Sequence, residues 1–385
     1  MSLPMAAAAA PAFNAAKLDA LLREGIQRRK IPAVSAVVAT DRETLYAGAF
    51  GIRDSASQKP IDTQAIFGIA SMTKAITTVA ALQLVEQGKL SLRDPIDKFL
   101  PEFGAMQVLT GFDPAGKPVL RPAKLQPTLH HLLTHTGGFA YDNWNADLLK
   151  FYAYYGPERR PAVPPLMTDP GTRWEYGTNL DWAGRIIEKV SEKVSGLSLE
   201  AYFQKNILQP LGMLDTSYIL TAEKFPRKVA TCRRQPDDSL REDPFVLPPT
   251  PTSFNGGGGL YSTPADYVKF MQMILRRGAT VKSMLRNQTG SLSAGKMKSA
   301  RAEVSSDVDF HVGAVDSFTY GFLMNPRAYS KGRSAGSLAW AGIQNTFYWI
   351  DPSKKLCATI MMQYYPFCDR EAMGLLREFE AAVYA

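Results

Sequence analysis

Strand-forming segments sit near the two ends of this 385-residue chain and helical segments fill the stretch between them. Any sheet must therefore be assembled from pieces separated by most of the chain. Residues 15–30 carry Leu18, Leu21, Leu22 and Ile26 at helical spacing, which predicts a first helix. "AVSAVVAT" and "TLYAGAFGI" follow on either side of the polar turn "DRE" and read as an antiparallel hairpin. From Leu90 to about Leu247 the texture changes to helical pieces broken by proline and glycine: "TLHHLLTHTGG", "LDWAGRIIEKVS" and "SLEAYFQKNILQPLGM". Past another helix in "STPADYVKFMQMIL", strand patterns return in "FTYGFLMN", "LAWAGIQNTFYWID" and "LCATIMMQYY", and a helix from about Arg370 to Ala385 closes the chain.

This order predicts an α/β (α+β) fold in which one discontinuous domain, 15–89 with 248–385, builds an antiparallel sheet flanked by helices. Residues 90–247 form a mostly helical domain inserted into it, and the Ala-rich residues 1–14 form a disordered tail. With 45% hydrophobic residues the chain can bury cores of that size.

The bulk properties exclude several functions. The net charge is +8, yet no basic run exceeds the "RRK" at 28–30, which argues against a nucleic-acid partner. Cys232, Cys357 and Cys368 lack C-x-x-C spacing and read as free thiols. No apolar stretch approaches the roughly 20 residues of a membrane span. No cation precedes Lys17, so a signal peptide is not expected and the location is expected to be cytoplasmic. The oligomeric state is left open.

The candidate chemistry centres on "SMTK". Ser71 and Lys74 are three apart at the start of a run with Ile76, Val79, Leu82 and Leu84 or Val85 on a buried face and Gly88 as its stop. Residues at i and i+3 share a helix face, so hydroxyl and amine touch. The helix N-terminus favours negative charge developing on a nucleophile. A second Ser-x-x-Lys, Ser293–Lys296, lies in a polar loop without apolar periodicity. Lys74 can act as a base only if burial or a positive neighbour frees it of a proton. Tyr176, after Pro170-Gly171 and ahead of a helix that Asn179 is expected to cap, is the candidate third group.

"SMTK" opening a helix, "YGTN" in the middle and "WAG" on a late strand together resemble the motifs of serine hydrolases related to class C β-lactamases and penicillin-binding proteins. Within that group the chain is similar to the family VIII carboxylesterases and to the fungal statin side-chain acyltransferases. "LLTHTGG", "VLTGFDPAG" and "GGGGLYSTPADY" extend the resemblance through most of the chain. It implies a β-lactamase/penicillin-binding-protein-like fold and a cofactor-free esterase acting on small-molecule esters of short to medium acyl chains, with weak β-lactam hydrolysis. Transfer to an alcohol, or a penicillin-binding receptor without turnover, is the alternative. By the same resemblance Ser71 is the nucleophile, Lys74 its proton acceptor and Tyr176 the acid and base for the leaving group. The backbone N–H groups of Ser71 and Ile343 form an oxyanion hole, and Asn179, Trp340, Ala341 and Gly342 contact substrate. The chain departs from the lactamase pattern where Asn179 lies three residues after Tyr176 instead of two, and where Trp340 replaces the lysine that opens the third motif. Lys331 and Arg333 are the cations nearest in sequence to that missing lysine.

Two rivals are weaker. Gly332-Arg-Ser334-Ala-Gly336 matches G-x-S-x-G, but a strand follows it and all four histidines precede it, so Ser334 reads as a loop residue. His131 and His135 stand at i and i+4 without the intervening glutamate of a zincin or a third ligand, so a structural role is expected and no metal. Gly256–Gly259 lack the Lys-Ser/Thr of a phosphate loop and read as a tight backbone entry to the next helix.

Overall fold

In a computed structural model, residues 14–243, 250–276 and 279–385 are described. Residues 1–13 of the Ala-rich segment and the expected boundary at 247/248 lie outside the described residues. Asn14 belongs to the first helix, α1 (Ala15–Arg28), because its side chain accepts the Lys17 N–H at 3.0 Å as an N-cap.

Strands β1 (Ala33–Thr40) and β2 (Thr44–Gly51) form the expected hairpin. β1 then pairs antiparallel with Leu356–Met361, in the register Val38↔Ala358. That single pairing joins the two ends of the chain. The sheet continues through Thr346–Asp351, Leu338–Gly342, Leu323–Met324 and Ser317–Phe318, seven strands in all among the described residues. Every neighbouring pair is antiparallel.

Both faces of the sheet are covered, which is why its central strands are buried throughout instead of alternating. Tyr348 packs its ring 4.9 Å from Tyr267 on the helix Pro264–Leu275, while its neighbour Trp349 packs 5.9 Å from Phe379 on the C-terminal helix Arg370–Val383. Adjacent residues on a strand point to opposite faces, so these two contacts define two helical layers. α1 joins the second layer, where Gly25 leaves room for Leu375.

The helix after Ser71, α2 (Thr73–Glu86), departs from the expected one-sided pattern: Thr73 through Leu82 and Leu84 are all buried, and Val85 is not. A helix buried all round lies inside the molecule. The small residues Thr77, Thr78 and Ala81 let neighbours approach on the side opposite Ile76 and Val79. The middle region holds α3 (Leu129–Leu133), α4 (Ala146–Arg159) and α5 (Asn179–Ser195), with α5 packed on α2. It also contains a hairpin, Gln107–Phe112 with Pro118–Pro122, turning at Gly116, which the helical reading of this region did not anticipate. No helix among the described residues is long and apolar enough to cross a membrane.

The loop ahead of strand Leu338–Gly342 is tied to the C-terminal helix by a buried ion pair, with Arg333 Nε and Nη2 donating to Glu380 at 2.8 and 2.7 Å. Removing one partner strands the other charge in a desolvated site. Arg333→Met should therefore lower unfolding stability by about 3–5 kcal/mol, and the double variant Arg333→Met/Glu380→Met by clearly less. Urea denaturation of the two variants and the parent checks both values.

Candidate active site

Ser71 lies in a single 3-10 turn, Ala70–Met72, that runs directly into α2. It does not cap the helix with its side chain. Ala70 has φ of +43°, a conformation that side chains other than glycine's rarely adopt, so the residue before the candidate nucleophile is strained. The turn is held from both sides. Ile69 N–H donates to Leu260 O at 2.9 Å, and Tyr267 Oη donates to Met72 O at 2.9 Å.

The glycine of "WAG" has a specific task here. A Cβ on Gly342 would come within 2.4 Å of Ile69 O and 2.3 Å of Thr346 Oγ1, so only glycine lets the strand Leu338–Gly342 lie against the Ser71 turn. Ile343, the next residue, consequently lines the same cavity as Ser71, a space of about 180 Å³. Trp340, Ala341 and Gly342 do not line it. Trp340 is buried and borders a separate cavity of about 480 Å³ between the sheet and the C-terminal helix.

Lys74 is only 2% exposed, and its Nζ donates to Ser71 Oγ at 3.1 Å, Gly257 O at 2.6 Å and Tyr141 Oη at 3.2 Å. Gly257 O and Tyr141 Oη accept from Nζ, while the Ser71 hydroxyl can either accept from it or donate to it. Tyr141 in turn donates to Asp181 Oδ2 at 2.7 Å, and Asn255 Nδ2 donates to Asp181 Oδ1 at 2.9 Å. Burial first, and the Asp181 charge second, push the Tyr141 phenol well above its ordinary value. Gly257 makes this convergence feasible, since a Cβ there would meet Asp181 Oδ2 at 2.0 Å. The four-glycine run thus brings backbone up to a lysine, as well as leading into the next helix.

Tyr176 enters the site by its ring, whose centre is 5.0 Å from Lys74 Nζ. Its hydroxyl accepts from Trp340 Nε1 at 3.3 Å. Gly177 lets the two tyrosine segments touch: a Cβ there would lie 2.3 Å from Phe139 O, and Tyr141 N–H donates to Tyr176 O at 3.3 Å. Trp144, at 5.3 Å from Tyr176, extends the aromatic wall.

Asn179 differs from its expected role. Thr178 is the residue preceding α5, and Asn179, fully buried inside the first turn, donates to His135 Nδ1, Phe139 O and Glu175 O at 3.2, 3.1 and 3.3 Å. One helical position beyond the motif's usual spacing turns its amide inward, so it braces the Tyr176 loop and does not reach the cavity. Arg333 is committed to Glu380, and Lys331 borders the larger cavity, so neither replaces the missing lysine beside Ser71. Ser334 is in the loop between strands, where its N–H donates to Asp351 Oδ2. The second Ser-x-x-Lys ends in an ion pair, Lys296 with Asp309 at 3.2 Å.

His131 closes a capping box with Thr128 while His135 faces Asn179, so the two rings do not converge on a common point. Among the described residues no group of three or more His, Cys, Asp or Glu could hold a metal ion. The three cysteines are all buried and free.

Tyr141 and Asp181 are the site residues that sequence reasoning missed, while Gly257 belongs to the run read there as a tight backbone entry. Tyr141 lies 67 residues from Lys74 with no periodicity linking them. Asp181 gave no signal either, since it shares the polar face of α5 with Arg185, Glu188 and Glu192.

A strained serine turn at the N-terminus of a buried helix, with a lysine in hydrogen-bond contact, defines a β-lactamase-fold serine enzyme of the hydrolase and acyltransferase group. The chain belongs to the beta-lactamase family, whose model matches residues 18–382. It is 34% identical to the monacolin J acid methylbutanoyltransferase of Aspergillus terreus over 98% of this chain and 97% of that one. It is 30% identical to the lovastatin esterase of Penicillium rubens, over 94% and 96% of the two chains. A solved variant of simvastatin synthase from Aspergillus terreus superposes with a TM-score of 0.81 at 31% identity, covering 96% of this chain and 94% of that one.

His135 packs on Tyr176 with ring centres 4.8 Å apart, and burial, aided by the Lys74 charge, holds its imidazole well below the ordinary value of 6.5. The unfolded chain binds this proton below that value and the folded chain does not, so stability falls as pH falls from about 6.5. The slope should reach at most about 1.4 kcal/mol per pH unit from this one group. Urea midpoints at pH 7 and pH 5 should show the loss, and His135→Gln should show a shallower pH dependence.

Proposed function

We propose that this chain transfers an acyl group from an activated ester to an alcohol through an acyl-enzyme on Ser71, with water as the competing acceptor. The observation that carries the reading is the 3.1 Å contact between Lys74 Nζ and Ser71 Oγ at the edge of a cavity. The family VIII carboxylesterase reading is the same cycle with water in the acceptor's place. Supporting the alcohol are relatives named as acyltransferases. Supporting hydrolysis is the relative named as an esterase.

The hydrogen bonds suggest how the pair works. A lysine acts as a base only through a free lone pair, so in the proposed cycle a protonated Nζ first passes on a proton. Nζ hands one to Tyr141 Oη as the tyrosine's own proton moves to Asp181 Oδ2, along contacts of 3.2 and 2.7 Å. The neutral amine then takes the Ser71 proton while Oγ attacks the acyl carbon. Charge developing on the carbonyl oxygen is met by the N–H groups of Ser71 and Ile343, at the positive end of α2. Tyr176 delivers to the leaving oxygen the proton that Lys74 collected. An incoming alcohol returns its proton by the same route as it attacks the acyl-enzyme.

Ser71→Ala should abolish release of p-nitrophenol from p-nitrophenyl butyrate and labelling by a fluorophosphonate. Lys74→Ala, Tyr141→Phe and Tyr176→Phe should each lower kcat by about 10²-fold or more, as loss of an acid–base group does. Labelling at Ser334 with full activity in Ser71→Ala would reject the assignment. Incubation with p-nitrophenyl butyrate and butanol, followed by chromatography, should yield butyl butyrate. Butyrate as the sole product across acceptor alcohols would make the chain a hydrolase.

A further inference from the structure

The cavity beside Ser71 has a second wall that the acyl-transfer cycle leaves without a task. Thr231, Gln344 and Gln363 line it together with Lys228. Three of these hold one another: Gln344 Nε2 donates to Thr231 Oγ1 at 3.3 Å, Gln363 Nε2 donates to Gln344 Oε1 at 2.5 Å, and Gly68 N–H donates to Gln363 Oε1 at 2.9 Å. The polar wall is therefore built in advance of any ligand.

Lys228 is the exception. Its backbone is fixed beside Ile66, two residues before Gly68, while its half-buried amine makes no ion pair or hydrogen bond among the described residues. Burial pulls its pKa below the ordinary lysine value, with Glu242 opposing. Glu242 itself is engaged with the Ser55 N–H. None of the residues lining the cavity is acidic. Among the described residues lining it, Lys228 is the one basic side chain. Glu242, the counter-charge that acts on Lys228, is not part of the cavity lining, so on the cavity side this partly desolvated cation is matched by an anion from outside the protein.

We infer that Lys228 binds a carboxylate carried by the substrate, which makes this side of the cavity a selector for anionic esters. The inference rests on the Ser71 reading for its chemistry. It supplies, from a different part of the chain, the positive charge that the third motif lacks where Trp340 stands. The carboxylate belongs either to the acyl part or to the alcohol part of the ester, and two matched pairs separate these. The first pair is mono-p-nitrophenyl glutarate against p-nitrophenyl 4-carbamoylbutanoate. The second is 3-carboxyphenyl butyrate against 3-carbamoylphenyl butyrate.

In wild type, kcat/KM should favour the carboxylate in one pair. Lys228→Gln should reduce that charged-to-neutral ratio by about tenfold or more, the scale of a charge-assisted hydrogen bond, and Lys228→Arg should retain most of it. Ratios that stay within about twofold of wild type in Lys228→Gln for both pairs overturn the inference. Failure of wild type to turn over the neutral esters would count against the Ser71 reading instead. For that case the Ser71→Ala protein, with and without Lys228→Gln, is titrated with the same esters by calorimetry. A carboxylate preference in Kd that disappears with Lys228 upholds the inference, and no such preference overturns it.

Discussion

The buried ammonium of Lys74 is the constraint on which the surrounding structure depends. Removing a charge from water costs several kcal/mol unless its donors are satisfied, and here each of the three is met by a different segment. Ser71 comes from the turn before α2, Gly257 from the glycine run, and Tyr141 from the loop after α3. A shift in any one leaves a donor unpaired in a desolvated site. The same contacts that stabilise the lysine therefore hold the three segments in register around the serine.

Close approach on this scale explains the glycines better than loop flexibility does. Gly342, Gly257 and Gly177 each occupy a spot where a Cβ would lie within 2.4 Å of a neighbouring atom. The first brings the sheet to the serine turn, the second brings backbone to the lysine and aspartate, and the third brings the two tyrosine segments together. Motifs that look like strings of catalytic side chains thus contain, in equal measure, positions that only allow other positions to converge.

The large-scale architecture was legible because it rests on patterns that repeat. The small and β-branched run "AVSAVVAT" and the apolar runs in "TFYWID" and "LCATIM" identify strands, and their placement toward the two chain ends lets one sheet join them. The Ser71–Lys74 contact was legible because helix geometry links i with i+3. Tyr141 and Asp181 were not, since nothing local in "GGFAYDN" or "NLDWAG" records a contact across 40 residues. Asn179 was misjudged for a related reason: motif spacing identifies a residue, while the direction of its side chain depends on where the helix begins.

The proton inventory bears on the choice between water and alcohol. Ser71 Oγ and Lys74 Nζ are in hydrogen-bond contact, and the serine is activated only when the proton between them sits on Nζ. In the proposed cycle activation moves a proton toward Asp181, which already accepts from both Tyr141 and Asn255. The relay of that cycle runs when a bound substrate changes the balance, for example by placing a carbonyl dipole over the helix terminus. Water alone filling the cavity offers no such change. The same reasoning holds for deacylation, because the acceptor must again find Lys74 in its neutral form. An acceptor held against the polar wall stays for repeated attempts, whereas a water molecule exchanges. On the proposed cycle, the partition between transfer and hydrolysis then depends on how long the acceptor stays in the cavity.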